Sequence, residues 1–182
     1  VPKNTDNRVA WETDEVPAAV ATKGFHGVTL TLRDIKPTAA ILTDIFGYKF
    51  SVQEGNLYRF RTTSVDTAAI VDLLEKPDGE RGVNAGGTNH HVAFRVKDEE
   101  TLMFYREKVL QSGLHITEKI NRDYFFSLYF REPGGVLFEI ATDNPGFATD
   151  ETVEELGSKL QLPERYRGAR AEIKSALPQL KT

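Results

Sequence analysis

Two consecutive histidines at the head of an alternating run are the side chains of this sequence best placed to do chemistry. The run is Gly87-Thr88-Asn89-His90-His91-Val92-Ala93-Phe94-Arg95-Val96. A second run, Gly135-Val136-Leu137-Phe138-Glu139-Ile140-Ala141, carries one carboxylate among apolar neighbours. Both read as β-strands, the first with its histidine pair at the entrance. Side chains alternate between the faces of a strand, so parity sorts the candidates. Val92, Phe94 and Val96 are apolar and are assigned to the packed face, which places His91, Ala93 and Arg95 on the other. By the same rule Val136, Phe138 and Ile140 pack, while Leu137, Glu139 and Ala141 face the opposite way. His91 and Glu139 are therefore predicted to converge as ligands of a divalent metal. A carboxylate in apolar surroundings is costly unless it is paired or bound to a cation. Non-haem iron(II) oxygenases use two histidines and one carboxylate and keep an open face. His91 and Glu139 would supply two of those three.

The elements that must hold these side chains form a repeat. Val28-Thr29-Leu30-Thr31-Leu32-Arg33-Asp34 has the pattern of Val92-Ala93-Phe94-Arg95-Val96-Lys97-Asp98, which lies 64 residues further on. In each half an alternating strand leads to an Asp and a helical stripe that stops at a glycine. The first stripe is Ile41, Leu42, Ile45 and Phe46, ending at Gly47. The second is Leu102, Tyr105, Val109 and Leu110, ending at Gly113. Three strand-like runs follow each helix: Tyr48–Gln53, Asn56–Thr62 and Ala68–Leu74, then Leu114–Ile120, Tyr124–Phe130 and Val136–Thr142. A repeat of this kind fixes architecture more firmly than any single motif. The predicted fold is α+β: two tandem β-α-β-β-β modules, at 24–79 and 88–144, forming cupped, mostly antiparallel sheets. A polar linker precedes them at 1–23, with Trp11 expected to anchor it on the domain. A helical tail follows at 145–182, with one helix over 150–160 and another from about 163 to 177.

The repeat also tests for a third ligand within the chain. Gly27 falls at the position of His91 and cannot ligate. His26 precedes it with the wrong parity, and could bind only if a bulge turned it. Asp72 falls at the position of Glu139. His26 and Asp72 are thus the two candidates the first module offers, and both read more readily as structural or surface groups than as ligands.

Composition narrows the class. The chain has 182 residues, 40% hydrophobic and 27% charged, as in ordinary globular proteins. A net charge of −4 gives no basic footprint for nucleic acid. With no cysteine, a metal must be held by His, Asp, Glu or backbone oxygen. No apolar run approaches the roughly 20 residues of a membrane helix.

Paired β-α-β-β-β modules with His on the first strand and Glu on the last resemble the vicinal oxygen chelate superfamily, which includes glyoxalase I, bleomycin-resistance proteins and extradiol dioxygenases. The Gly87–Val96 run and the longer run from Asn121 to Asp143, with Pro-Gly-Phe at 145–147, are similar to the C-terminal half of hydroquinone-type ring-cleaving dioxygenases. That resemblance implies a cytoplasmic non-haem iron(II) enzyme, or its C-terminal half, that opens an aromatic diol with O2. Manganese(II) or another divalent metal is the alternative cofactor. It further implies that His91 and Glu139 bind the metal, and that His90 is an acid/base beside it. Arg122 and Tyr129 would then stabilise negative charge near the substrate. In that family four modules are present and the second histidine ligand comes from the N-terminal half, so the expected partner is that half or a second copy of this chain. Two other readings stand beside this one: a glyoxalase-like metal-dependent lyase or isomerase using Asp72, and a non-enzymatic module that binds a small aromatic.

Overall fold

A computed structural model describes residues 7–178. The chain divides into two compact units. One runs up to His90 and includes Arg131–Val136; the other holds His91–Phe130 and the chain from Leu137 onward.

The first unit is built on a four-stranded sheet in the order β1-β4-β3-β2, formed by β1 (Gly27–Leu32), β2 (Lys49–Glu54), β3 (Leu57–Arg61) and β4 (Ile70–Glu75). β1 lies parallel to β4, in register from Gly27–Ile70 to Leu32–Glu75, and β3 runs antiparallel to both β4 and β2. The sheet is therefore mixed. Parallel neighbours need a crossover, and here it begins with helix α1 (Lys36–Ala40), which has a proline in its first turn. A π-helical turn, Ile41–Ile45, continues it and buries Ile41, Leu42 and Ile45. Gly47, at φ +70°, supplies the left-handed residue that ends the helix. The alternation in β1 works as the sequence suggests: Leu30 and Leu32 are buried, Thr29 and Thr31 exposed.

The second unit repeats the order, as β5-β8-β7-β6. Its strands are β5 (Val92–Val96), β6 (Ile120–Asn121), β7 (Phe126–Arg131) and β8 (Leu137–Thr142). β5 and β8 are parallel, with Ala93 opposite Glu139. Helix α2 (Glu99–Gln111) is capped by Asp98, whose carboxylate accepts the Thr101 backbone N–H at 2.9 Å. Leu102 and Val109 of α2 are fully buried, as are Leu128, Phe138 and Ile140. The edge-to-face rings of Phe94, Phe138 and Phe130 fill the same core.

Five expectations are corrected here. The strand predicted over Leu114–Ile120 is reduced to a bridge between Ile116 and Phe130 and the two residues of β6. At Thr117 the side-chain oxygen, rather than a carbonyl, accepts the Tyr129 N–H, which interrupts the ladder. The helix predicted over 150–160 is a three-residue 3-10 turn, Val153–Glu155, with Gly157 close behind at φ +78°. No residue of that turn is buried, so no packed face holds a longer helix in place. The second tail helix is shorter than predicted: a 3-10 segment, Glu164–Ala169, leads into helix α3 (Arg170–Ala176). Trp11 does not anchor its segment through its ring, which is 76% exposed. Within the segment Trp11 N–H donates to Thr22 O, and Arg8 leads out of it by donating to the Phe25 carbonyl at 2.9 Å. On α2, Leu110 is exposed and does not share the burial of Leu102 and Val109. Among the described residues, no helix is long and apolar enough to cross a membrane.

Candidate metal and substrate site

β8 places Phe138 and Ile140 in the core, which turns Glu139 to the other face of the sheet. There its carboxylate is 3% exposed. Oε2 lies 2.7 Å from Nε2 of His91, whose side chain remains 34% exposed. Oε1 is buried and has no hydrogen-bond partner. A carboxylate with one oxygen bonded and the other left empty is an incomplete arrangement, because buried acceptors are rarely unfilled.

Tyr129 projects from β7 on the same side. Its ring meets that of His91 edge to face, with centroids 5.8 Å apart. Arg122 closes the cluster. Its Nη2 donates to the Tyr129 hydroxyl at 3.2 Å, and its guanidinium carbon lies 5.4 Å from the ring centre. Arg122 Nε also donates, over 3.4 Å, to the hydroxyl of Ser127, which is completely buried. Thus His91, Glu139, Tyr129 and Arg122 form one chain of contacts within the second unit. His90 is exposed, in the stretch without regular structure before β5, and is counted with the first unit. In the sequence Ser127 shares the parity of Tyr129 along its strand and shows nothing more. Its link to Arg122 depends on how the 121–126 turn folds back, for which the residue types gave no signal. Arg95 shares that parity but reaches Asp143 instead.

The first module's two candidates have other roles. Asp72 lies directly across from Arg59 in the β3–β4 register. Arg59 donates to both its oxygens, at 2.8 and 2.7 Å. That bond holds the Arg59 guanidinium above even its ordinary high value. A bidentate pair of this kind already answers the charge of Asp72 with a cation the chain itself supplies. His26 is exposed and precedes β1, and the β1–β4 register runs unbroken from Gly27. The bulge that would turn it is absent from that strand pair. Gly27 has its own reason to be glycine. A Cβ there would sit 2.7 Å from the Ile70 carbonyl oxygen and 3.0 Å from Ile70 Cβ. The position matching His91 is closed to any side chain.

Among the described residues, no group of three or more His, Asp or Glu side chains gathers to hold a metal. His91 and Glu139 do fit as two donors. They offer one nitrogen and one oxygen with an unfilled buried lone pair, a donor set suited to iron(II) or manganese(II).

The Glyoxalase/Bleomycin resistance protein/Dioxygenase superfamily matches residues 24–140. The chain belongs to this superfamily. Its relatives include MhqO of Bacillus subtilis (strain 168), provisionally named a ring-cleaving dioxygenase. That protein is 41% identical over 167 residues, which cover 92% of this chain and 53% of MhqO. Chlorohydroquinone/hydroquinone 1,2-dioxygenase of Sphingobium indicum is 31% identical over 177 residues, covering 95% of this chain and 55% of that enzyme. Among solved structures, one from Bacillus subtilis, provisionally described as a dioxygenase, superposes with a TM-score of 0.88 at 40% identity, covering 96% of this chain and 56% of the other. The homologues are thus ring-cleaving dioxygenases by name, and the two four-stranded sheets are those of the superfamily fold. The chain spans about half the length of the curated relatives it matches.

Proposed function

We propose that His91 and Glu139 are this chain's contribution to a divalent-metal centre of a ring-cleaving dioxygenase. The substrate class is a hydroquinone-type aromatic diol, cleaved with O2. The observation that supports this reading is the half-satisfied carboxylate: Glu139 is buried, held through Oε2 by His91, and unpartnered at Oε1. Without a cation such a group is a net cost. With one it is a ligand. A third protein ligand would come from outside the described residues, either from an N-terminal half or from a second copy of the chain. When bound, iron(II) or manganese(II) would supply Lewis acidity and the redox chemistry that ring opening with O2 requires.

The remaining roles fall to the chain's own side chains. Glu139 and His91 hold the metal and do no proton chemistry. The Arg122 guanidinium, fixed by Tyr129 and Ser127, places positive charge beside the cluster. There, with the Tyr129 hydroxyl, it stabilises negative charge on a deprotonated phenol. His90, exposed and adjacent in sequence, is assigned the exchange of protons with the substrate. The lyase or isomerase reading requires Asp72 as a ligand, and both oxygens of Asp72 are bound by Arg59. The binding-module reading differs in needing no metal at all.

The test is anaerobic iron(II) loading of the full chain, alone and mixed with the N-terminal half of a relative. Metal content is measured, followed by O2 uptake with hydroquinone. The expected result is bound iron that is lost in His91→Ala and Glu139→Ala, and O2 consumption that depends on hydroquinone. Failure to bind iron in either condition, or iron content unaffected by both substitutions, would overturn the assignment.

A further inference from the structure

The turn between β7 and β8, Glu132-Pro133-Gly134-Gly135-Val136, contains a second buried carboxylate that the site does not use. Glu132 is 2% exposed. Its Oε1 accepts the Val136 N–H at 2.8 Å, and its Oε2 accepts the Gly134 N–H at 2.8 Å and the Thr38 hydroxyl at 2.6 Å. The backbone of Glu132 is engaged as well: its N–H donates to Val136 O at 3.0 Å, and its carbonyl accepts from Gly135 N–H at 2.9 Å. One residue therefore binds both arms of its own turn. The turn tolerates little else. A Cβ on Gly134 would meet Thr38 Oγ1 at 2.6 Å, Leu32 Cδ2 at 2.7 Å and Glu132 Oε1 at 2.8 Å. Gly135 has φ +96°, a conformation that disfavours other residues.

The position of this turn gives it significance beyond folding. Three residues back from Glu132 is Tyr129, and three residues on from Val136 is Glu139. Hairpin register is set at the turn, and a slip of one residue moves every side chain to the opposite face. Such a slip would place Phe138 or Ile140 where Glu139 now meets His91.

We propose that Glu132 is a positioning residue. By tying Gly134 and Val136 to its own carboxylate, it fixes the register that brings Tyr129 and Glu139 to His91. The proposal rests on the function inferred above only in its metal arm, because the register itself can be read without metal.

The experiment uses the full chain and three variants. Glu132→Gln keeps the shape but turns an amide group toward hydrogen-bond donors. Glu132→Asp keeps the acid but shortens its reach to the Val136 N–H. Thr38→Val removes the hydroxyl and leaves both turn bonds intact. The first readout, in metal-free protein, is the nuclear Overhauser contact between the His91 and Tyr129 rings. The second is manganese(II) affinity, from the signal of free Mn(II) in electron paramagnetic resonance. Folded Glu132→Gln or Glu132→Asp is expected to lose the ring contact and to bind Mn(II) about tenfold or more weakly, the scale seen when a supporting group is removed. Thr38→Val is expected to melt earlier, keep the ring contact and bind within about twofold of wild type, so that stability and positioning separate. The proposal is overturned if a folded Glu132 variant retains the ring contact. It is also overturned if Thr38→Val loses the contact in proportion to its stability. If the wild-type chain binds no Mn(II), the metal reading falls, and the ring contact alone decides the role of Glu132.

Discussion

Replacing Glu139 with methionine should raise the stability of the metal-free protein while abolishing its response to metal. The carboxylate is buried, and Oε1 has no partner. Leaving one such acceptor unfilled costs ~1–3 kcal/mol, and the substitution removes that cost. What is lost is the contact between Oε2 and His91 Nε2 at 2.7 Å. His91 is about one-third exposed in its side chain, so it can rehydrate. A contact with one such solvated partner contributes about 0.5–1 kcal/mol. Methionine is unbranched and close to glutamate in length, so it fills the space with little strain. The balance is a gain of about 0–2.5 kcal/mol, or a melting temperature higher by up to roughly 10 °C for a chain of this size. Metal reverses the order. Mn(II) at a hundred times its dissociation constant stabilises a binding protein by about 2.7 kcal/mol, and it should leave the variant unmoved. The assay is thermal unfolding followed by circular dichroism, for both proteins, in chelator and in Mn(II). The two curves should exchange order between the conditions. A variant that melts below wild type in chelator would refute the claim that the carboxylate is held at a cost. An equal Mn(II) shift in both proteins would refute its role as a ligand.

Two further outcomes follow from the same kind of accounting. Arg59→Met strands Asp72, whose two oxygens lose their donors; denaturant unfolding should show a loss of roughly 1–3 kcal/mol, less than for a fully buried pair because the guanidinium is partly solvated. Adding Asp72→Leu should recover most of that loss, and a double variant no better than the single one would show that the pair is not the source. Asp98→Ala should lower the melting temperature near neutrality, since the carboxylate accepts both the hydroxyl and the N–H of Thr101, at 2.6 and 2.9 Å. Those bonds hold the Asp98 carboxyl below its ordinary value, the hydroxyl contributing most. A lowered acid stabilises the fold above its unfolded value and loses that contribution as pH falls through its folded value. The gap between wild type and variant should therefore be steady at neutral and mildly acidic pH and close only in strong acid.

The residue pattern carried most of the architecture because alternation and helical stripes report burial directly. Leu30 and Leu32, and Phe94 and Val96, are buried as their parity requires. The same parity anticipated the meeting of His91 with Glu139. What escaped was decided by register and by side chains that replace backbone bonds. The partner of Asp72 is not legible, because nothing in the order of residues shows that Arg59 lies directly opposite. The edge strand over 114–120 read as regular because its apolar residues alternate, yet Thr117 substitutes its hydroxyl for a ladder acceptor. The π turn at Ile41–Ile45 keeps the same buried side chains as an α-helix would, so the stripe could not distinguish the two. In the order of residues Glu132 is a charged residue beside a glycine turn, with no sign of burial. Its burial depends on Thr38, 94 positions away in the chain.

The repeat sets two buried carboxylates in comparison. Asp72 and Glu139 hold matching places in matching sheets, each buried and each on the strand paired with the head strand of its module. Treated as equals, they would be two ligands. Their neighbours make them opposites. Asp72 is matched oxygen for oxygen by a cation the chain itself supplies, and Gly27, at the place of His91, stands against the Ile70 carbonyl. Glu139 faces alanine in register, has a half-exposed imidazole on one oxygen, and keeps the other empty. A built-in guanidinium and an added metal ion are two solutions to one electrostatic problem, the buried anion. A sheet that has adopted the first has no need of the second. On the proposed function, the external cation would therefore fall to Glu139, while the first module's carboxylate keeps Arg59.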